Sequence, residues 1–273
     1  MSVLVQTAAE TLRRPAGAAA QPLVSVVIPA RDEGERIAAV LDRLDAVLRR
    51  PAEVLVVVDS AADPTVAAVE AAAPSQPRVR CLVNGYDAGP AGAIRFGMDR
   101  ASAPVIAVTM ADGSDDLRQI DDLAALVEDG AVIAAASRYA PGGCQAGGPL
   151  VKTALSRLAG ISLQFLARPG TSDATNSFKA YSAVFVRAAG VDSRHGFCIG
   201  LELTAKARRL GLGVAEIPTR WQERESGQSA FRLVRWLPSY LRWYLFCFGR
   251  PLTFEELAAR RPGIRRQPGE PRG

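Results

Sequence analysis

Short apolar runs alternate with amphipathic stretches along the first half of the chain. The apolar runs have the length and continuous hydrophobicity of buried strands, and the stretches between them carry hydrophobic residues at helical spacing. Strands and helices that alternate in this way predict a mostly parallel sheet flanked by helices. The predicted strands cover residues 23–29, 53–58, 78–83, 105–109 and 131–136, and the predicted helices cover 37–48, 64–73, 89–100 and 117–129.

The pattern is less regular in the second half of the chain. It predicts a Gly/Pro-rich loop at 141–149, helices at 151–167 and 200–210, a strand within 171–186 and a short strand at 214–218. Aromatic residues and arginines are then mixed in an amphipathic segment. The chain is therefore divided into a flexible N-terminal segment (1–21), one α/β domain (22–230), an amphipathic aromatic helical segment (231–250) and a basic, disordered tail (251–273).

Composition and charge narrow the classes of partner. A chain of 273 residues with 48% hydrophobic and 22% charged residues is typical of a soluble protein with a full core. The net charge of +5 favours an anionic partner, such as a nucleotide, a phosphorylated substrate or a phospholipid surface. Four widely spaced cysteines and one histidine exclude a zinc ribbon or a multi-histidine metal site. No stretch reaches the ~18–20 apolar residues that a membrane span needs.

Three carboxylates, those of Asp112, Asp115 and Asp116, follow the predicted strand at 105–109 within a few residues. Ligands of open α/β sheets bind at the carboxyl ends of strands, and clustered carboxylates repel one another unless a cation is held between them. The alternative is a solvated acidic turn in which Asp115 or Asp116 caps the next helix. From these residues alone both interpretations stay open.

Two other predicted strand ends carry polar side chains. The first strand ends in an acidic, charged turn at 29–35, which contains neither G-x-G-x-x-G nor a P-loop and suits the base and ribose of a nucleotide better than its pyrophosphate. The second ends at Asp59, which can accept a hydrogen bond from a base or a ribose hydroxyl or be a plain turn residue. Asp63 is predicted to cap the next helix, with Pro64 at its first position.

Several segments resemble motifs of family-two glycosyltransferases with the GT-A fold. Residues 26–33 resemble the V-V-I-P-A-x-N-E opening of that family, and 57–65 resemble its V-D-D-x-S-x-D-x-T segment. Residues 89–95 loosely match its G-x-G-x-A turn. The later motifs are similar to those of dolichyl- and polyprenyl-phosphate mannose or glucose synthases, and they occur in order at 137–143, 175–180, 196–202 and 216–229.

This resemblance implies a GT-A, Rossmann-like sheet and an inverting, metal-dependent transfer of a sugar from a nucleotide-diphosphate sugar to a polyprenyl phosphate. The metal ion would be Mg²⁺ or Mn²⁺. The family's D-A-D motif falls on Met110-Ala111-Asp112, so that its first aspartate is replaced by Met110, and a serine, Ser60, replaces the second aspartate of V-D-D. The alternatives are transfer to a hydroxyl of a glycan or small molecule, and a catalytically weak partner protein.

The resemblance also assigns roles to individual residues. The metal would be held by Asp112 with Ser114 or Asp115, the acceptor would meet Arg138 and Ser229, and the catalytic candidates are Asp173, Glu202 and Arg224. A guanidinium matches phosphate in a bidentate manner, which supports the arginine assignments. The donor-binding candidates are Pro29, Ala30, Arg31, Glu33, Asp59, Gly89, Ala111, Asp112 and Arg138.

The aromatic segment at 231–248 mixes Trp, Tyr and Arg, a composition that suits a bilayer interface. The alternative is a C-terminal helix packed on the core. No nucleic-acid motif is recognised, so nucleic acid is not an expected partner. The expected location is the cytoplasm, with peripheral attachment at the inner face of the membrane.

Overall fold

The computed structural model describes residues 21–147, 150–222 and 233–260. Elements are numbered here in chain order. The strands are β1 Val24–Pro29, β2 Ala52–Val58, β3 Val79–Val83, β4 Val105–Val108, β5 Ile133–Ser137, β6 Cys144–Ala146, β7 Lys179–Ser182, β8 Val214–Pro218 and β9 Arg220–Gln222. The helices are α1 Arg36–Val47, α2 Pro64–Ala72, α3 Pro90–Arg100, α4 Ile120–Glu128, α5 Leu150–Leu166, α6 Ala183–Ala189, α7 Ile199–Arg209, α8 Leu233–Cys247 and α9 Phe254–Ala259.

The main sheet has the strand order β3-β2-β1-β4-β7-β5-β8, and β7 runs antiparallel to both of its neighbours. The other strand pairs of this sheet are parallel. The prediction of a mostly parallel sheet flanked by helices is therefore confirmed. Because β7 is reversed, its first residue, Lys179, pairs with Val108 of β4 and Ala135 of β5, near the carboxyl ends of those strands. The residues just before β7 consequently lie at that same edge.

Helices cover both faces of the sheet. On one face α1 buries Ile37, Leu41 and Leu44, which follow the helical spacing in the sequence. Each buried aliphatic side chain of this kind contributes roughly 1.5–3 kcal/mol. On the other face α3 approaches the sheet closely, because a Cβ at Gly97 would lie 2.4 Å from a methyl carbon of Val27. Only glycine allows that approach.

The C-terminal part packs on the sheet domain through α8. Trp243 and Cys247 of α8 are buried together with Leu163 of α5 and Leu201 of α7. None of the described helices is long and apolar enough to cross a membrane.

The expected disorder from residue 251 onward is wrong for its first part, because residues 254–259 form α9. A capping box fixes the start of that helix: Glu256 N–H donates to Thr253 Oγ1 at 3.2 Å, and Thr253 N–H donates to Glu256 Oε2 at 3.0 Å. Leu252 and Leu257 are buried in the same core cluster as α6 and α7. The expectations for residues 1–20 and 261–273 fall outside the described residues.

Candidate functional site

The carboxyl ends of β1, β2, β4 and β5 meet at one side of the sheet, together with the residues that precede β7. This side is called the carboxyl edge below. It collects the predicted site residues that follow those four strands, together with Asp173, which is brought there by the reversed direction of β7.

The turn after β1 is tied to the start of α2. Asp32 N–H donates to Asp63 Oδ2 at 3.0 Å, and Glu33 N–H donates to Thr65 Oγ1 at 3.1 Å. Asp63 also accepts from Thr65 N–H at 2.9 Å, so its predicted role as helix cap is confirmed. The turn thereby exposes Arg31 at the carboxyl edge. The donor-binding candidates in this turn are Pro29, Ala30, Arg31 and Glu33.

Asp59 organises a second loop at this edge. Its Oδ1 accepts from Asn84 Nδ2 at 2.9 Å, and its Oδ2 accepts from Gly89 N–H at 2.8 Å. Gly89 is the N-cap of α3 and has a φ of 114°, a conformation that L side chains rarely adopt. The carboxylate of Asp59 therefore holds the glycine turn in place, a role that sequence reasoning did not assign to it.

The acidic turn after β4 contains one inward-facing carboxylate, that of Asp115. Its Oδ2 accepts from Thr109 Oγ1 at 2.8 Å and from Met110 N–H at 3.1 Å. Burial raises the pKa of Asp115 to about 6, and the nearby charge of Asp112 adds to the increase, against the hydrogen bond from Thr109. The sequence left open that Asp115 or Asp116 caps the next helix, and Asp116 is the residue that does so. Its Oδ1 accepts from Arg118 N–H at 3.2 Å in the short 3₁₀ helix Leu117–Gln119.

Asp112 is less buried than Asp115 and accepts from Ser114 N–H at 3.0 Å. Ser114 is buried, and in the part of the chain that the structure describes its Oγ has no hydrogen-bond partner. Carboxylate and hydroxyl oxygens are the ligands that hard divalent cations prefer. Ala111, between β4 and these residues, is buried.

Within residues 21–147, 150–222 and 233–260 no three His, Cys, Asp or Glu side chains are grouped so that they could hold a metal ion. A cation at the acidic turn would therefore depend on Asp112, Asp115 and the Ser114 hydroxyl, with further oxygens supplied by a ligand. The unpartnered hydroxyl beside two carboxylates fits such an ion. The prediction of metal binding stays a prediction.

Arg138, which follows β5, is paired with Asp173. Its Nε donates to Asp173 Oδ2 at 2.7 Å, its Nη2 donates to Oδ1 at 2.9 Å, and its backbone N–H donates to Oδ2 at 3.1 Å. Nη2 also donates to Ser156 Oγ of α5 at 3.3 Å. Burial alone would raise the pKa of Asp173, but the bonds and charge of Arg138 outweigh burial and hold that pKa below its usual range. Asp173 is thus a charged partner that orients Arg138.

Lys179 is a site residue that the sequence reasoning missed. It is fully buried at the start of β7, and its ammonium donates to the carbonyls of Asp173 at 3.0 Å, Ala174 at 3.4 Å and Asn176. Burial lowers the pKa of Lys179 to about 8, against the attraction of Asp173. This lysine fixes the turn that carries Asp173. A lysine inside a predicted buried strand was the signal that could have identified it.

Glu202 belongs to a different network from Arg138 and Asp173. It is fully buried on α7, and its carboxylate accepts from the backbone of Asp192 at 2.6 Å, from the backbone of Ser193 at 2.8 Å and from Lys206 Nζ at 2.6 Å. These three charge-assisted bonds occupy it inside the protein. Arg224 and Ser229, the remaining predicted site residues, lie outside the described residues.

Comparisons with known proteins show the family of the chain and its fold. Residues 25–188 match the family described as glycosyl transferase family 2. The chain belongs to that family. It is 32% identical over 211 residues to a polyprenol monophosphomannose synthase of Mycolicibacterium smegmatis, an alignment that covers 75% of this chain and 79% of that protein. It is 30% identical over 213 residues to an undecaprenyl-phosphate mannosyltransferase of Micrococcus luteus, covering 76% of this chain and 86% of that protein.

Among solved structures, the glycosyltransferase is similar to glucosyl-3-phosphoglycerate synthase from Mycobacterium tuberculosis crystallised with Mn²⁺, uridine diphosphate and phosphoglyceric acid. The TM-score is 0.62 at 17% identity, over 85% of this chain and 80% of that chain. A complex of that synthase with Mg²⁺ and uridine diphosphate gives a TM-score of 0.61 at 18% identity, over 85% and 81% of the two chains. At these identities the likeness shows the fold alone, and the predicted GT-A architecture is confirmed.

Proposed function

We propose that this glycosyltransferase moves a sugar from a nucleotide-diphosphate sugar to a polyprenyl phosphate, with inversion at the sugar carbon. The observation that carries the choice of acceptor is the state of the two candidate bases, since Asp173 and Glu202 are both buried and bonded inside the protein. A sugar hydroxyl needs a base in reach, whereas a phosphate monoester, with a second pKa of about 6, is already an oxyanion at neutral pH. The two relatives that act on polyprenyl phosphates support the same choice.

The donor would lie along the carboxyl edge. The turn after β1 and Asp59 are suited to the base and ribose, because they offer backbone groups and a half-buried carboxylate at neighbouring strand ends. The diphosphate would reach the acidic turn, where Asp112 and Ser114, with Asp115 behind them, would hold Mg²⁺ or Mn²⁺. Such an ion neutralises charge on the leaving diphosphate.

Arg138 would bind a phosphate oxygen of the acceptor or donor. Its bonds to Asp173 and Ser156 use Nε and Nη2, and Nη1 is the nitrogen that we assign to the ligand. Asp173 keeps the guanidinium plane fixed, so little side-chain entropy is lost on binding. Arg224 and Ser229 complete the proposed phosphate contacts by resemblance alone.

The reaction needs no proton transfer under this proposal. An acceptor phosphate oxygen forms a bond to the anomeric carbon while the bond from that carbon to the diphosphate oxygen breaks. The electron pair leaves with the nucleoside diphosphate. Attack from the opposite side inverts the configuration at the sugar carbon.

An exposed apolar surface supports a lipid acceptor. On α8 the residues Leu237, Leu241, Leu245 and Phe248 beside its end are exposed and fall on one side of the helix. On α5, Phe165 is 76% exposed and Leu158 is 65% exposed, with Ile161 and Leu166 beside them. Tyr244 donates from its hydroxyl to Ser162 Oγ at 2.9 Å, which joins the two helices. These eight side chains are called the apolar surface below.

Charge favours an anionic bilayer as the partner of the apolar surface. Neither α5 nor α8 contains an acidic residue, whereas Arg157 and Arg242 are exposed on them. Each basic residue near an anionic leaflet adds about 1 kcal/mol to binding. We therefore propose peripheral attachment at the inner membrane face, with α5 joining the segment that the sequence had suggested.

The experiment that tests the acceptor compares the pH dependence of transfer for wild type, Asp173→Asn and Glu202→Gln. Under the proposal each variant, measured per folded molecule, retains transfer to polyprenyl phosphate within about tenfold and keeps the wild-type pH profile. Loss of essentially all activity in one variant, with donor binding intact and a missing basic ionisation, would favour a hydroxyl acceptor. Absence of any transfer or donor hydrolysis by wild type would favour an inactive partner protein.

A further inference from the structure

The loop between α6 and α7, residues 190–198, is held by two buried charges of α7. Glu202 accepts from the backbone of Asp192 and Ser193, and Lys206 Nζ donates to the carbonyl of Gly190 at 2.7 Å and to Asp192 Oδ2 at 2.7 Å. Glu202 and Lys206 are themselves bonded, and both are fully buried. Moving the loop away would break its bonds to these two buried charges, which is strongly unfavourable. The loop therefore has little freedom to move.

Helix α8 is seated on this loop through two tryptophans. Trp243 donates from Nε1 to Ser193 Oγ at 2.9 Å, and its ring centroid lies 5.2 Å from Lys206 Nζ. Trp236 packs against Gly196, where a Cβ would lie 2.7 Å from a ring carbon and where φ is +64°. Two residues seven positions apart share a helix face, and here that face is opposite the exposed leucines of the apolar surface.

The same loop also reaches the carboxyl edge. Phe197, which packs edge-on against Trp236 with ring centroids 5.8 Å apart, also packs against the buried cluster that contains Val108. Val108 is the last residue of β4, immediately before the acidic turn. The loop therefore packs against α8 and against the buried cluster that contains the end of β4, the strand that precedes Asp112.

We propose that residues 190–198 set the orientation in which α8 presents its apolar side relative to the carboxyl edge, and that Trp243 and Ser193 are positioning residues for an acceptor held in a bilayer. The inference rests on the proposed function. An acceptor dissolved in water reaches the site by diffusion and does not need α8. An acceptor anchored in a membrane arrives at a height and angle fixed by that helix, and small errors of position are costly in rate.

The test uses the full chain and two acceptors. One is a long-chain polyprenyl phosphate in vesicles of phosphatidylcholine and phosphatidylglycerol, and the other is a water-soluble, short-chain isoprenyl phosphate. In Trp243→Phe, which keeps an aromatic ring but loses the N–H, we expect kcat/KM for the vesicle acceptor to fall about fivefold, the factor expected for one net hydrogen bond. The value for the soluble acceptor and the KM of the donor stay at wild-type levels.

Ser193→Ala should reproduce this change. The double variant should lose no more activity than either single variant, because both substitutions remove the same hydrogen bond. Ser75→Ala is the matched control, since it also removes a single side-chain hydrogen bond, to the carbonyl of Ala72 at 3.0 Å, at a residue that belongs to neither α5, α8 nor the loop. It should leave the ratio of the two acceptors unchanged. Equal losses with both acceptors, no loss with either, or additive effects in the double variant would each overturn the proposal. If wild type used neither acceptor, the proposed function itself would fail and this inference with it.

Discussion

Asp112 is the proposed metal ligand whose replacement we expect to cost the most, because the resemblance places Met110 where the family's D-A-D motif has its first aspartate. Its carboxylate accepts from the backbone N–H of Ser114, whose hydroxyl has no hydrogen-bond partner among the residues that the structure describes. The side chain of Met110 offers a hard cation no oxygen. We expect Asp112→Asn to lower kcat by about 10²-fold, equivalent to about 3 kcal/mol of barrier. Steady-state transfer measured over a Mn²⁺ titration checks this.

Asp116→Asn is the matched control for Asp112, because the Asp116 carboxylate caps the 3₁₀ helix and pairs with the guanidinium of Arg118. It should retain most of the rate. A folded Asp112→Asn variant with a full metal-dependent rate would remove Asp112 from the site.

Asp115 gives a stability prediction with a defined sign. Its folded pKa is about 6, raised from 3.8, so the folded state binds this proton more tightly than the unfolded state does. The resulting stabilisation is fully present below about pH 4 and is lost as the pH rises through about 6. Asp115→Asn lacks this loss. Its free energy of unfolding, relative to that of wild type, should therefore rise by up to about 3 kcal/mol between pH 4 and pH 7 in metal-free buffer. Urea unfolding at several pH values measures the difference, and a constant offset between the two proteins would contradict it.

At the scale of elements, the proposed membrane contact is the apolar surface on α5 and α8. Leu241→Glu or Phe165→Glu should each reduce co-sedimentation with anionic vesicles by about tenfold or more. Each substitution replaces an apolar side chain, whose burial in the bilayer would contribute roughly 1.5–3 kcal/mol, by a charge. High salt should weaken wild-type binding, since the arginines act through screened charge.

Val184→Glu is the control for these substitutions. Val184 is also exposed, at 74%, but it lies on α6, outside the apolar surface. It should bind vesicles as wild type does. If all three variants bound equally, α5 and α8 would not be the membrane contact.

At the scale of the whole molecule, the donor should stabilise the fold by mass action. A nucleotide sugar at 100 times its Kd adds about 2.7 kcal/mol, which for a domain of this size raises Tm by about 5–10 °C. A thermal-shift screen of nucleotide sugars with Mn²⁺ would therefore identify the donor. The same donor should shift Asp112→Asn much less, and a set in which no nucleotide sugar shifts wild type would count against the donor site.

The sequence by itself determined the parts of the protein that depend on local pattern. Buried strands appear in the sequence as continuous apolar runs because both faces of a parallel sheet are covered. Helices are recognised by the 3.6-residue spacing of their apolar residues. Since the carboxyl ends of parallel strands share one edge, the positions of Asp59, Asp112 and Arg138 after predicted strands already indicated that edge of the sheet. The cap at Asp63 was equally local, because an N-cap bonds within its own first turn.

Only the tertiary structure decided what those elements meet. The reversed β7 brings Asp173 against Arg138, and the pairing of a strand with distant neighbours is not encoded in its own periodicity. Glu202 looked available on a predicted helix, yet the α6–α7 loop and Lys206 occupy it. An amphipathic pattern states that one face of a helix is apolar and leaves open what covers that face. The tertiary packing, which turns Trp236 and Trp243 inward, leaves the leucines of α8 exposed beside those of α5.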